Sequence, residues 1–262
     1  MDYREIQISR RVSLAVLPID DFADRIINDS SVEAFLENLH VNPIRKPDGY
    51  RVFADIKEEE AELILKSYIY KTQRHKINLK NSNLEDRILK IRLEPSEAYP
   101  AYNTGIIVRG RLVNSNNLPV KDTGIKIVIP GAKDPLICLN TIDKGEKDIY
   151  IYNPKNKCLM GAEYAYVEKQ NIKGTFIIWE EVADNKLFEL RYPLTFRCVK
   201  GKKFHKVYTV HTGPNGEFSL LIPKDYIEDE SPLIIQYQQN TISTKIKNDQ
   251  KIDLGNIKIE GE

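Results

Sequence analysis

Apolar residues along this chain come in short runs set between turn-forming residues, a pattern of many brief strands rather than of long helices. Arg10-Arg11 leads into the mostly apolar run Val12 to Leu17, which Pro18 and the acidic pair Asp20-Asp21 are expected to end. Val32 to Leu36, Tyr50 to Ala54, Ala61 to Tyr70, Lys76 to Leu79 and Ile88 to Leu93 follow as further strands. In the last of these, Leu89, Ile91 and Leu93 alternate with Lys90 and Arg92, as on a half-buried strand. Two segments also carry helical signals. Ser30 with Glu33 could be a capping box opening a helix, and Glu58 to Tyr70 has good helix formers at helical spacing. A repeat described below favours strand for both.

Two prolines at Pro95 and Pro100 interrupt the pattern and mark a linker over 95–100, between a module at 1–94 and another at 101–262. Beyond them the strands resume at Ile106 to Val113, Gly124 to Gly131, Phe218 to Ile222, Leu233 to Tyr237 and Ile252 to Ile259. The halves share a motif. Pro47-Asp48-Gly49 precedes Tyr50-Arg51-Val52-Phe53 and then Leu63-Ile64-Leu65-Lys66-Ser67-Tyr68. Pro214-Asn215-Gly216 precedes Glu217-Phe218-Ser219-Leu220 and then Leu233-Ile234-Ile235-Gln236-Tyr237. Proline presets φ for a turn, Asn or Asp and Gly tolerate the positive φ that follows, and such a turn fixes the register of the strands it joins. Two turns in matching contexts indicate a duplicated module. Roughly 136–210 is an insertion in the second copy, with strand-like segments at Tyr164 to Val167, Gly174 to Trp179 and Lys186 to Tyr192.

Composition changes little in this picture. Of the 262 residues, 29% are charged and 41% hydrophobic, which suits a globular core, and a net charge of +1 gives no bias toward nucleic acid. The basic cluster Lys200-Gly201-Lys202-Lys203 reads as a solvated turn. Met1 to Arg11 lacks a secretory apolar core, and no run approaches the ~18 apolar residues of a membrane span. The expected location is the cytoplasm, or an exported particle assembled without a signal peptide. Cys138, Cys158 and Cys198 are odd in number and widely spaced, as free thiols are.

The second half, with Arg109-Gly110-Arg111-Leu112-Val113, Leu118-Pro119-Val120, Gly124-Ile125-Lys126-Ile127 and Pro214-Asn215-Gly216-Glu217-Phe218, resembles the carboxypeptidase regulatory-like domain. The first half resembles it mainly at Val12 to Pro18 and Pro47 to Phe53. Asn117 stands where that family's turn carries Gly, and the insertion is a larger departure. The resemblance implies an all-β protein of two small transthyretin-like (Ig-like) β-sandwich modules, the second with a β-rich insertion. It also implies an accessory, non-catalytic role. The pairing is similar, at the level of fold, to β-sandwich proteins of phage-tail-like contractile injection systems.

Signatures of chemistry are sparse. The histidines His40, His75, His205 and His211 lack the spacing of a zinc peptidase, and no G-x-S-x-G elbow or Gly-rich phosphate loop occurs. His205 and His211 with Cys198 could approach a metal, though ordinary strand residues explain them better, and no metal or cofactor is expected. Asp20-Asp21 with Asp24, or Glu58-Glu59-Glu60, read as solvated loop charges ahead of a calcium site. Aromatic residues of the insertion are the candidate binding set: Tyr150, Tyr152, Tyr164, Tyr166, Phe176 and Trp179. Their strand spacing fits core and binding face equally. The expected function is a structural or interaction protein, a scaffold module within a larger protein assembly, with a small-ligand or carbohydrate-binding module as the alternative. Its expected partners are other proteins.

Overall fold

A computed structural model describes residues 11–259 apart from 38, 40, 81, 82, 84, 184, 185, 229, 239, 248 and 250. The charged start Met1 to Arg10, His40 and the terminal Glu260-Gly261-Glu262 lie outside the described residues. The protein is all-β and divides into two compact units, Met1–Tyr99 and Pro100–Glu262.

The first unit contains β1 (Val12–Asp20), β2 (Arg25–Ile26), β3 (Glu33–Leu36), β4 (Ile44–Arg45), β5 (Arg51–Ala54), β6 (Glu60–Lys66), β7 (Gln73–Asn78) and β8 (Ile88–Leu93). One sheet is organised on β1, which pairs antiparallel with β5 and β2 and parallel with β8. The other sheet has the order β3-β6-β7. Both segments that carried helical signals are therefore strands. Leu63, Ile64 and Leu65 of β6 are all buried between its two neighbours, so packing on both faces overrides local propensity.

Pro18 does not end the first strand, contrary to the sequence reading. Pairing with β5 stops at Val16 and pairing with β2 starts at Ile19, so the missing N–H falls in the gap between those partners. The Pro18 carbonyl still accepts from Ile27 N at 3.0 Å. Asp20 is not a solvated loop charge either. Its carboxylate is fully buried and accepts from Tyr70 Oη at 2.9 Å, Tyr99 Oη at 2.7 Å, and the backbone N–H groups of Phe22 and Ala23, each at 2.9 Å. Asp24, also buried, pairs with Arg92, whose Nε donates to Asp21 at 2.7 Å.

The second unit contains β9 (Ile106–Val113), β10 (Gly124–Val128), β11 (Leu136–Cys138), β12 (Asp148–Tyr152), β13 (Glu163–Glu168), β14 (Asn171–Ala183), β15 (Leu187–Leu190), β16 (Lys203–His211), β17 (Glu217–Ile222), β18 (Glu230–Tyr237), β19 (Asn240–Lys247) and β20 (Lys251–Lys258). Its sandwich repeats the strand order of the first unit. β9 pairs antiparallel with β17 and parallel with the last strand β20, as β1 does with β5 and β8. The facing row β10-β18-β19 matches β3-β6-β7. Ile125, Ile127, Phe218, Leu220, Leu233 and Ile235 fill the space between the two sheets.

Both Pro-Asx-Gly turns make the same bonds. Gly49 N donates to Lys46 O at 3.0 Å and Lys46 N to Tyr50 O at 2.8 Å. Gly216 N donates to Gly213 O at 2.9 Å and Gly213 N to Glu217 O at 2.8 Å. Only the glycines have positive φ, +96° and +77°, so each is a tight turn closed by a glycine bulge. Their contexts differ from the sequence reading in one respect. The first joins the paired strands β4 and β5, but the second links β16 and β17, which belong to different sheets. The Pro214 turn therefore carries the chain from one sheet to the other and sets no register between the strands it joins.

Between β10 and β17, the six strands β11 to β16 pair antiparallel in a ring: β11-β12-β15-β14-β13-β16 and back to β11. A closed sheet has no free edge. β16 is shared, with Phe204 to Val207 paired to β13 and Val207 to His211 paired to β10. The insertion is thus a small barrel continuous with the sandwich sheet.

Candidate interaction surface

Alternation around the barrel assigns each side chain a face. Inward lie Leu136 and Cys138 of β11, Ile149 and Ile151 of β12, Phe188 and Leu190 of β15, Phe176 and Ile178 of β14, Tyr164 of β13 and Phe204 of β16. Tyr164 and Phe176 are cross-strand partners in that interior, stacked with ring centroids 6.1 Å apart, and Phe204 meets Phe176 edge-on at 4.8 Å. These two candidate binding residues are core, and Ala165 on the opposite face of β13 is itself buried against Val128, Val207 and Ile234.

Tyr166 is half-buried at the end of the barrel, stacked on Phe196 at 5.9 Å, with the Lys202 ammonium 5.2 Å over its ring. Gly174 makes that stack possible, since a Cβ there would lie 2.2 Å from Phe196 Cδ1. Trp179 occupies the extra position of a bulge between Ile178 and Glu180 and is only 9% exposed. The Arg191 guanidinium lies 5.4 Å from the Trp179 ring and 5.6 Å from that of Tyr192, which is 61% exposed.

Tyr150 and Tyr152 face outward, 42% and 49% exposed, because Ile149 and Ile151 take the inward positions. Ile137 lies opposite Tyr152, and Leu187 lies opposite both Tyr150 and Ala183. The outer wall of β11, β12, β15 and β14 therefore presents two tyrosines among half-exposed aliphatic side chains. Sequence reasoning missed Tyr192 and Arg191, whose role depends on the β14 bulge that brings Trp179 to them.

The proposed metal ligands do not converge. His205 and His211 are six residues apart on one strand, roughly 20 Å at ~3.3 Å per residue. His205 is buried opposite Ala165, and burial, with Lys203 nearby, lowers its pKa to about 4. Its Nδ1 has no hydrogen-bond partner among the described residues. Cys198 lies in the barrel interior with Cys138, their thiols directed to Val199 O at 3.7 Å and Asn140 O at 2.8 Å, and the neighbouring Cys138 thiol together with burial holds the Cys198 thiol well above its usual range. Among the described residues, no three His, Cys, Asp or Glu are grouped as metal ligands. No helix among them is long and apolar enough to cross a membrane.

No protein-family model matches the chain, and no curated protein matches it. The carboxypeptidase regulatory-like label is thus confirmed by no family model. Solved structures it is similar to include BcpA, the major pilin subunit of Bacillus cereus, at 10% identity over 96% of this chain and 99% of that one, with a TM-score of 0.24. The Bacillus anthracis TIE protein matches at 12% identity over 95% of this chain and 50% of its own, with a TM-score of 0.23. The Streptococcal ancillary pilin matches at 10% identity over 95% and 99%, with a TM-score of 0.20. Likeness at these scores supports no argument about role, which rests on the residues themselves.

Proposed function

We propose that the chain is a non-catalytic interaction protein in which two repeated sandwiches of carboxypeptidase regulatory-like type form the scaffold and the inserted barrel supplies the contact surface. The observation that carries this reading is the outer wall of β12, where Tyr150 and Tyr152 stand exposed beside Leu187 and Ile137. Tyrosines on rigid strands lose little side-chain freedom on binding and offer an apolar body with a polar tip. A closed barrel holds them in fixed positions with no free strand edge to aggregate. The partner is another protein within a larger assembly, of which a phage-tail-like particle is one form.

A carbohydrate platform built on Trp179 is the weaker reading, because Arg191 already covers that ring. The test is affinity purification from the native source with wild-type protein and with Tyr150→Ser/Tyr152→Ser. A discrete partner should be lost with the double variant while its melting temperature is unchanged. Recovery of monomer alone, or a partner retained by the variant, overturns the proposal.

A further inference from the structure

The sandwich of the second unit is open on one side. Among the described residues, β19 pairs only with β18 and ends its sheet, and β20 pairs only with β9 and ends the facing sheet. Between these two edges runs a groove of about 720 Å³, within the ~300–1,000 Å³ range of clefts that hold ligands. Its floor is apolar. Ile242 of β19 and Ile252 and Leu254 of β20 are half-buried and pack onto the fringe of the sandwich core. A bulge after Asp253, with Gly255 at φ +62°, puts one extra residue in β20 opposite β9 at the groove.

The rim is charged with one sign in excess. Lys245, Lys247, Lys251 and Lys258 line it against Asp249 and Asp253. Lys245 reaches Glu230 at 3.3 Å, and Asp253 accepts from Gly255 N at 2.8 Å. Lysines on a sheet edge discourage pairing with a like strand. Two copies of β19 laid edge to edge would bring Lys245 and Lys247 of each against the other, so the groove selects against self-pairing. The same charges favour an acidic strand.

We infer that the groove between β19 and β20 takes an extended segment of a partner protein in which apolar residues alternate with Asp or Glu, added as a strand along the free edge of β19. Alternate residues of an extended chain face opposite sides, so the apolar set would cover Ile242, Ile252 and Leu254 while the acidic set meets the lysines. Main-chain bonds to β19 would supply affinity, and the lysines would supply selectivity. This site lies at the far end of the sheet order from the barrel, so its failure leaves the barrel proposal untouched.

The probe is a fluorescein-labelled, end-capped peptide of alternating Val and Glu, with a Val/Lys peptide of equal length as the comparison. Fluorescence anisotropy with the full chain should show saturable binding of the Val/Glu peptide alone. Lys247→Glu/Lys251→Glu should weaken it by about fivefold or more, as expected for two lost and reversed surface charges, and Lys247→Arg/Lys251→Arg should restore it. Hydrogen exchange of the β19 amides should slow on binding, while unchanged melting temperatures show that the variants fold. Binding of neither peptide, equal binding of both, or protection confined to other strands overturns the inference. So does a dimer in sedimentation whose β19 amides are already protected without peptide.

Discussion

Replacing Asp20 with alanine should destabilise the first unit more than any surface change. The carboxylate is fully buried and satisfies two tyrosine hydroxyls and two backbone N–H groups at 2.7–2.9 Å. Removing it leaves Tyr70 Oη and Tyr99 Oη without their acceptor, at about 1–3 kcal/mol for each buried donor. Relief of the desolvation cost of the charge offsets part of this, leaving a net loss of about 3–4 kcal/mol. For a unit of this size that corresponds to a fall in melting temperature of roughly 12–30 °C. Asp20→Asn keeps one accepting oxygen and should lose less. Urea denaturation of the full chain, followed by a probe confined to the first unit, measures both. A loss below about 1 kcal/mol for Asp20→Ala would refute the premise that this cluster holds the end of β1.

The same cluster has an alkaline signature. Burial, and then the Asp20 charge and hydrogen bond, push the Tyr70 phenol well above its usual range, and burial with the Asp20 bond does the same for Tyr99. The unfolded chain therefore releases these protons first, and stability present below pH ~10 should fall as pH rises beyond it, a trend that Asp20→Asn should weaken in ultraviolet titration. His205 behaves oppositely, since its pKa is lowered to about 4 by burial. Its contribution is full above pH ~6.5 and is lost as pH falls toward 4, by roughly 3 kcal/mol, and His205→Leu should flatten that slope in acid melts of the second unit. Gly216→Ala should cost about 2 kcal/mol or more, from a positive φ and a Cβ that would sit 2.4 Å from Leu112 O, whereas Gly124→Ala, with no contact under 3.6 Å, should cost less than 1 kcal/mol in the same denaturation assay. In a thiol-reagent time course, Cys158 should react in the native protein while Cys138 and Cys198 wait for unfolding.

The strands were legible because their alternation is local. Leu89, Ile91 and Leu93 of β8 read as one face from the sequence, and Ile91 and Leu93 are buried there. The two turns suggested a duplicated module, and the central strands β1 and β9 have matching neighbours, in the orders β5-β1-β8 and β17-β9-β20. Barrel closure was not legible. It depends on Leu136 of β11 meeting Phe204 of β16, a pairing between distant segments that neither segment announces. The aromatic set shows the same limit. Tyr150 with Tyr152 and Tyr164 with Tyr166 share one spacing, yet the first pair faces outward and Tyr164 inward. At β12 the isoleucines at 149 and 151 take the barrel interior and leave the tyrosines outside, while at β13 both faces are covered, Tyr164 in the barrel and Ala165 against Val128, Val207 and Ile234. Asp20 was misread because an acidic pair after a strand resembles a loop, and only the distant Tyr70 and Tyr99 reveal its burial.

On our proposal, the barrel's outer wall is the recognition face of a repeated-sandwich scaffold. Placing a photo-crosslinking amino acid at Tyr150, and separately at the exposed Leu118 of the same unit, tests it most directly. In the native source, position 150 should give one discrete crosslinked partner and position 118 none. Crosslinks of equal yield from both positions, or none from position 150 in folded protein, would contradict it.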